Sequence, residues 1–366
     1  PTLVSAPATG IREPDGLALF QSRSRKQEPA ASMDSVTQAV LGASVAGVCA
    51  PRGHRRKALI AGALLGTLPD LDVLIDFGDA VKNYTYHRGF SHSLFVLVPL
   101  AALLWLGLRQ WWLPVRADPG RWFAAILLAL VTHPLLDAHT AYGTQLWWPL
   151  STPPTMWSTL FIIDPVYTIP LLLGTLSALI RPEAKWAGAS LAAGLVISTA
   201  YIGWSWIGKT TVEQNARQAL DDSGRSEAPL FSAPTPFNTL LWRVVVMTED
   251  GYLEGFDSLV ADDGPVQFAR YPSDNGSLAA ATEIWAVSRL RWFSRDFLKS
   301  TVSDEMLVLT DLRMGQEPYY VFSHEVARRG NPHWHPIETR RVATSLDIDA
   351  LSGVWHRIWN DHSPSR

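Results

Sequence analysis

Long apolar segments recur through the first 210 residues of the chain and are absent from the rest. Because about 20 apolar residues in a helix span the roughly 30 Å hydrocarbon core of a bilayer, these segments predict a membrane α-helical bundle of about five or six transmembrane helices. The first is short and rich in glycine and alanine, so a buried core helix explains it equally well. The segments lie near residues 35–50, 57–76, 91–109, 121–139, 160–180 and 186–208.

The last third of the chain has a different pattern, with short apolar runs typical of β-strands. These runs are LWRVVVM, GYLEGFDSLV, PVQFARY, EMLVLTDL and YYVFSHEV. Asp250-Gly251 between the first two is a hairpin signal, and a helix is expected from near Asp347 to Trp359. The pattern therefore predicts a small β-rich α+β soluble domain after the membrane bundle.

These two patterns divide the chain into four parts. Residues 33–208 are predicted to be the transmembrane domain, residues 209–236 a linker and residues 237–366 the soluble domain. Residues 1–32 are polar and rich in proline, serine and arginine, and they contain no apolar run of signal-peptide length. Since Met33 is the first methionine, this segment is expected to be a disordered leader or to precede the true start.

The distribution of charge supports this division and excludes some functions. Only 18% of the residues are charged, against about 25% in an average soluble domain. Residues 91–210 carry 10 of the 65 charges, whereas residues 211–366 carry 37. The net charge of −3 shows no basic excess, which argues against a nucleic-acid partner. The single cysteine, Cys49, excludes an intramolecular disulfide framework.

The charges of the loops predict an orientation in the membrane. Lysine and arginine are concentrated in the first, third and fifth loops, at 51–57, 109–121 and 181–185, whereas the 140–159 loop has neither. The positive-inside rule places the basic loops in the cytoplasm. With six spans, we expect a multi-pass membrane protein whose C-terminal domain lies on the outer side.

Ionisable residues at the predicted span ends carry the candidate chemistry. They occur in the segments PDLD, YHRGFSHS and THPLLDAHT, all at the outer ends of their helices, although the orientation was derived from the loop charges alone. Carboxylates and imidazoles brought together are ligands for a divalent metal, typically zinc, in a one-metal or two-metal site. The candidate metal ligands are Asp70, Asp72, His87, His92, His133 and Asp137.

Three residues are candidates for a direct catalytic role. Asp72 is a possible general base as well as a ligand. Arg88 is placed to hold a phosphate or a carboxylate, and Asp137 shares a helix face with His133, four residues before it. Each motif taken alone also has a structural explanation, such as a helix cap or an interfacial ion pair.

The joint pattern of these motifs resembles the YdjM/YbcI-type inner-membrane proteins. The resemblance runs from residue 33 to about residue 330 and rests on MDSVTQAVLGA, GALLGTLPDLD, HRGFSHS and HPLLDAHTAYGTQLWWP. It implies a membrane-bound, metal-dependent hydrolase in which the six candidate residues are ligands or catalytic groups. The resemblance also implies that the membrane is the bacterial inner membrane, so the outer side expected for the C-terminal domain is the periplasm. Family members often carry histidine at the position of Gln38, so this chain has either an outer-shell amide there or one ligand fewer.

These observations lead to a specific expectation. The protein is interpreted as an integral membrane hydrolase in which a metal, zinc in the typical case, activates water for attack on an ester or phosphoester. A site at headgroup level points to membrane lipids as partners and to a lipid or lipid-linked substrate. The alternative is a non-enzymatic membrane protein with a structural His/Asp metal clamp, and a third possibility gives the soluble domain the main role.

Overall fold

Eight helices form the N-terminal part of the protein. The computed structural model describes residues 35–221, 224–343 and 349–361, so the expectation for residues 1–32 lies outside the described residues. Within them, helices precede a β-rich region, which confirms the predicted order of the two parts. The helices are α1 (Ser35–Cys49), α2 (Arg55–Thr67), α3 (Ala80–Tyr86), α4 (Leu94–Trp111), α5 (Leu113–Ala117), α6 (Pro119–Asp137), α7 (Pro165–Ile180) and α8 (Ala187–Asp221).

Three of the described helices, α4, α6 and α8, are long and apolar enough to cross a membrane. Helices α1 and α7 are apolar but shorter, with 15 and 16 residues. The predicted count of five or six spans is therefore not confirmed. The largest difference concerns the segment 57–76, where the α-helix ends at Thr67.

Proline explains why α2 ends early. Pro69 has no N–H to donate and its ring disfavours a continued α-helix, so the chain passes into a 3₁₀ helix over Pro69–Leu74. This short helix carries Asp70 and Asp72 away from the axis of α2. A second 3₁₀ turn, Phe90–His92, comes directly before α4 and positions His92. Both 3₁₀ helices therefore carry candidate metal-binding side chains, one directly after α2 and the other directly before α4.

Helix α1 lies at the centre of the bundle and is buried along most of its length. It approaches α2 through glycines: a Cβ added at Gly42 would lie 2.3 Å from the carbonyl oxygen of Gly62 and 2.9 Å from the Cα of Gly66. The hydroxyl groups of Ser44 and Thr175, 2.7 Å apart, join α1 to α7. The small residues noted in the sequence therefore permit backbone contact between helices.

The C-terminal region contains two four-stranded antiparallel sheets, ordered β1-β2-β3-β4 and β10-β9-β6-β5, and a two-stranded ladder β7-β8. The predicted hairpin is confirmed, because β2 and β3 pair in register from Leu241↔Ser258 to Thr248↔Gly251. The strands are β1 (Leu230–Pro234), β2 (Leu241–Thr248), β3 (Gly251–Ser258), β4 (Phe268–Pro272), β5 (Leu298–Ser303), β6 (Met306–Asp311), β7 (Gly315–Gln316), β8 (Tyr319–Tyr320), β9 (Ser323–Arg329) and β10 (Trp334–Arg341). Three helices accompany them: α9 (Asn275–Ala280), α10 (Trp285–Ser294) and α11 (Asp349–Trp359).

Residues 209–236, predicted to be a linker, contain ordered elements instead. Helix α8 continues without a break to Asp221, and β1 begins at Leu230. The physical reason is burial: Val212, Ala216 and Leu220 form one face of α8 that packs against β2 and is fully or almost fully buried. The same helix therefore belongs to the apolar bundle and to the core of the β-rich domain.

The C-terminal domain also contacts the membrane half, which comprises α1–α7, the loops between them and the first part of α8. Aromatic residues from the loops and short helices of the membrane half make this contact. Tyr84 of α3 and Tyr142 of the 138–164 loop pack into the core of the C-terminal domain beside Phe293. The Tyr84 hydroxyl donates to Asp311 Oδ2 at 2.9 Å, and Arg313 Nη2 donates to the same carboxylate at 2.6 Å. Asp311 and Arg313 therefore form a buried ion pair at this contact.

We expect Gly42→Ala to destabilise the protein, because the new methyl group would meet the backbone of α2 rather than a side chain that can move. Overpacking of this kind costs about 1–3 kcal/mol, and its measure is the unfolding temperature in detergent. Gly107→Ala in α4 is the matched control, since no atom lies within 4 Å of an added Cβ there. Equal unfolding temperatures for the two variants would contradict the close α1–α2 contact.

Candidate metal centre

Four acidic and imidazole side chains converge at one end of the helical bundle. Asp70 comes from the 3₁₀ helix after α2, His92 from the turn before α4, and His133 and Asp137 from the last turns of α6. One ligand atom from each lies within 4.8 Å of the others. The structure thus brings together four of the six predicted metal ligands from three separate segments.

The ligand atoms face one another closely. The Nε2 atoms of His92 and His133 are 3.0 Å apart. Asp70 Oδ1 lies 3.3 Å from His92 Nε2 and 3.4 Å from His133 Nε2, and Asp137 Oδ2 lies 3.1 and 3.4 Å from the same two atoms. His92, His133 and Asp137 have no exposed side-chain surface, whereas the Asp70 side chain is 17% exposed. Of the four side chains, Asp70 therefore lies nearest to solvent.

A divalent cation fits the chemistry of these four groups. Asp70 Oδ1 and Asp137 Oδ2 are buried oxygen atoms without a hydrogen-bond partner among the described residues. A buried carboxylate oxygen without a donor is costly, and both oxygens point at the two imidazole Nε2 atoms. Two nitrogen and two oxygen ligands are a combination that zinc accepts. The donor set therefore supports metal binding without deciding which metal it is.

The outer nitrogens of the two histidines are held by neighbouring groups. His133 Nδ1 lies 2.6 Å from the carbonyl oxygen of Gly66, which can only accept, so Nδ1 carries the hydrogen and Nε2 is left to bind a metal. His92 Nδ1 lies 2.9 Å from Ser91 Oγ, and this hydroxyl donates to Asp72 Oδ2 at 2.6 Å. Partners of this kind fix the orientation of metal-binding imidazoles.

Asp72 and His87, predicted as ligands, lie beside the four-residue group rather than in it. His87 Nδ1 is 2.8 Å from Asp72 Oδ1. Asp72 Oδ2 accepts from Ser91 and from the backbone N–H of Arg88, at 3.0 Å. Both oxygens of Asp72 therefore already have donors, and this carboxylate organises the His87–His92 turn.

Arg88 supplies a positive charge beside the centre. Its Nε lies 3.2 Å from Asp137 Oδ2, its Nη1 donates to Thr140 Oγ1 at 3.2 Å, and its guanidinium carbon is 5.1 Å from the centroid of the Tyr142 ring. The backbone of Arg88 has φ +57°, a conformation rare for a residue other than glycine. Arg88 therefore connects Asp137 to an aromatic ring in the core of the C-terminal domain.

The Gln38 side chain contacts a candidate ligand, Asp137, from the side away from the two histidines. Its Nε2 donates to Asp137 Oδ1 at 2.9 Å, and the residue is 1% exposed. The amide thus holds the carboxylate oxygen that does not face the histidines. Of the two explanations that the sequence left open, this geometry fits the outer-shell amide.

His139, which shares a motif with His133 and Asp137, is not part of the group. Its Nδ1 lies 2.7 Å from Thr159 Oγ1, and its ring packs against Trp157. Burial lowers the pKa of His139 to about 4, so this imidazole is neutral at physiological pH. It serves as a natural comparison for the histidines of the centre.

Several residues at the centre were missed by sequence reasoning. Ser91 lies within the HRGFSHS motif that carried the two histidines, so its position in the motif was a usable signal. Thr140 and Tyr142, which surround Arg88, belong to the segment after Asp137 in the same way. The Gly66 carbonyl that holds His133 had no signal, because the contact joins residues 67 positions apart.

The fold and the centre together define a class: a membrane protein whose apolar helices enclose a His/Asp group at one end. The family model described as "YdjM inner membrane protein" matches residues 33–212. This match confirms the resemblance found in the sequence over residues 33–212.

Two curated proteins are similar to this chain. "Inner membrane protein YbcI" of Escherichia coli strain K12 is 39% identical over 94 residues, which cover 25% of this chain and 52% of YbcI. "Uncharacterized protein YfhP" of Bacillus subtilis strain 168 is 25% identical over 234 residues, or 61% of this chain and 68% of YfhP. The chain thus spans about half the length of YbcI and about two thirds of YfhP. No solved structure matches the chain.

Gln38→Ala should weaken metal binding, because Asp137 Oδ1 would lose its donor and the carboxylate its orientation. Removal of an outer-shell partner typically lowers metal affinity about 10- to 100-fold. Competition with a chromophoric chelator measures the change on the purified protein. Thr37→Val is the matched control, since among the described residues the Thr37 hydroxyl bonds only to that of Thr168, away from the centre. Unchanged affinity in Gln38→Ala would show that the amide does not orient Asp137.

Proposed function

We propose that this protein is an integral membrane, metal-dependent hydrolase that cleaves an ester or phosphoester of a lipid or lipid-linked substrate. The observation that carries the proposal is a pair of buried carboxylate oxygens, Asp70 Oδ1 and Asp137 Oδ2, that face two imidazole nitrogens and have no hydrogen-bond partner among the described residues. Asp70, His92, His133 and Asp137 would hold the ion. A divalent cation at this place supplies Lewis-acid chemistry to a water or substrate oxygen.

The residues around the centre have distinct roles in this proposal. His87 is the proton acceptor, because its Nδ1 is held by Asp72 and its side chain keeps 14% of its surface exposed. Asp72 positions His87 and, through Ser91, His92; the sequence alone had suggested it as the base itself. Arg88 offsets the charge of Asp137 and fixes its carboxylate. Asp70, which is partly exposed, marks the side from which a substrate reaches the centre.

The location of the centre supports a lipid substrate. The groups lie at the ends of α2 and α6 and at the start of α4, so they are at one end of the apolar bundle rather than in its middle. We place this end, together with the C-terminal domain, at the periplasmic face, because the basic loops lie at the opposite ends of the helices. Ester and phosphate groups of lipids occur at this depth.

A structural metal clamp is the second candidate function. Three of the four ligands are fully buried, and four protein ligands can close a tetrahedral site, as in structural zinc centres. A clamp would hold the ends of α2, α4 and α6 together without turnover. The two candidates differ in what removal of the metal changes: a clamp loses stability only, whereas a hydrolase also loses an activity.

We expect His133→Ala and Asp137→Asn to lose both stoichiometric metal and hydrolysis of a chromogenic phosphodiester or ester by the purified protein in detergent. The reason is that each removes one of the converging ligand atoms. His139→Ala is the matched control and should keep both, because His139 belongs to the same sequence motif but not to the centre. Metal is measured by mass spectrometry of the digested protein.

The outcomes separate the alternatives. Stoichiometric metal in His133→Ala would exclude this centre as the metal site. Metal-loaded wild-type protein that hydrolyses no ester or phosphoester, and whose unfolding temperature falls on chelation, would be a clamp. Loss of activity by His87→Ala with metal content retained supports His87 as the proton acceptor, whereas loss of metal would make it a ligand.

The proposed orientation predicts a labelling pattern with a membrane-impermeant maleimide. Cys49 at the end of α1 should react only after the membrane is opened, since it borders the basic loop 51–57. In a Cys49→Ala protein, Asp263→Cys on the exposed surface of the C-terminal domain should react in intact spheroplasts. The reverse pattern would place the C-terminal domain in the cytoplasm.

A further inference from the structure

An open cavity of about 580 Å³ lies between the loops of the membrane half and helix α10. Its volume is within the range of ligand sites, about 300–1,000 Å³. One wall is the exposed face of α10, where Trp285, Ser288, Arg289 and Trp292 follow one another at helical spacing. The opposite wall comes from the loops and includes Phe77, Tyr86, Gly89, Phe90, Gln145 and Trp148–Ser151.

Arg289 gives this cavity an unbalanced positive charge. Its Nε and Nη2 donate to Thr85 Oγ1 and to the Thr85 carbonyl, at 3.0 and 3.1 Å. The guanidinium carbon lies 4.1 Å from the centroid of the Trp292 ring and 4.8 Å from that of Tyr86. No carboxylate of the described residues forms an ion pair with it, and its Nη1 makes no hydrogen bond within them. A half-buried guanidinium with free donors is suited to bind an oxyanion.

The mouth of the cavity is apolar and aromatic. Phe90, Trp148, Leu150 and Trp285 are each between 40% and 56% exposed. This mouth lies at the first turn of α4, a helix that can cross a membrane, because Ser93 Oγ donates to the Trp148 carbonyl and Leu94 N to the Leu146 carbonyl. Tryptophan side chains at the end of a span typically lie at headgroup level. An apolar, aromatic mouth beside the end of such a helix is suited to contact lipid.

The cavity and the candidate metal centre share one loop. Gly89 and Phe90 line the cavity, and they stand between Arg88 and the Ser91–His92 pair of the centre. Gln145, also in the wall, donates its backbone N–H to the Arg88 carbonyl at 3.0 Å. A molecule bound in the cavity is thus in contact with the segment that carries His87 and His92.

We propose that this cavity binds an anionic lipid, with the headgroup phosphate at Arg289 and the first part of the chain against Trp148, Leu150 and Trp285. If the protein is the hydrolase proposed above, this lipid is the substrate or a neighbour of it, and in that respect the proposal rests on the proposed function. Binding itself does not depend on the metal centre. It can therefore be tested without any activity.

The test uses dodecyl phosphate as the probe, titrated into the purified full-length protein in a neutral detergent and followed by calorimetry. The wild-type protein should bind it, with inorganic phosphate and a neutral dodecyl glycoside binding at least about tenfold more weakly. Arg289→Gln should reduce affinity about tenfold or more, because it removes a charge-assisted contact. Arg291→Gln is the matched control: Arg291 is on the same helix but pairs with Asp296 outside the cavity.

Because Arg289→Gln also removes the hydrogen bonds to Thr85, a second pair of variants tests the site with those bonds intact. Ser288→Asp places a negative charge in the same wall and leaves every Arg289 contact in place, whereas Ser288→Asn adds the same bulk without charge. The first should weaken dodecyl phosphate binding at least about fivefold relative to the second. Equal binding by these two variants, or by wild type and Arg289→Gln, would overturn the proposal.

The probes and the metal variants separate the remaining possibilities. Inorganic phosphate bound as tightly as dodecyl phosphate would overturn the lipid assignment, and the neutral glycoside bound as tightly would overturn the anion site. His133→Ala should still bind dodecyl phosphate as the wild type does. If His133→Ala binds dodecyl phosphate normally and the wild type hydrolyses no substrate, the lipid site is supported and the hydrolase proposal is overturned.

Discussion

The structure depends on an imbalance of charge at the end of an apolar bundle. Asp70 and Asp137 bring two carboxylates to one place, and Arg88 is the cation that contacts Asp137. As metal ligands both histidines would be neutral, and the two carboxylates and Arg88 would then carry a net negative charge in surroundings that solvate charge poorly. A bound cation would offset this charge. The broken helix after Thr67, the strained backbone of Arg88 and the buried Gln38 amide are the local arrangements that keep the four ligand atoms in place.

The sequence was sufficient to predict what depends on local pattern. Apolar runs and the Asp250-Gly251 turn each act within a few residues, and the apolar helices, the β-rich domain and the hairpin followed from them. The end of α2 was missed because an apolar run continues past Pro69, although the α-helix does not. The predicted linker was wrong for a different reason: the face formed by Val212, Ala216 and Leu220 becomes apolar core only through a sheet that comes later in the chain.

The candidate centre shows the same limit at the level of single residues. Asp70, His92, His133 and Asp137 could be selected because ionisable residues in apolar segments are costly and are kept for a purpose. The distinction between them and the neighbouring pair Asp72 and His87 could not be made, since both sets share the same motifs. It depends on which oxygen atoms find hydrogen-bond donors, and those donors, such as Ser91 and the backbone of Arg88, are set by the fold.

Helix α8 has a mechanical consequence. With 35 residues it is about 52 Å long, which exceeds the hydrocarbon thickness by about 20 Å, and it contains no proline or other break at the point where it leaves the bundle. A tilt of its membrane part is therefore also a displacement of the sheet that rests on Val212 and Leu220. Membrane helices commonly accommodate changes in bilayer thickness by tilting. Because α8 is continuous, such a tilt would also shift the C-terminal domain.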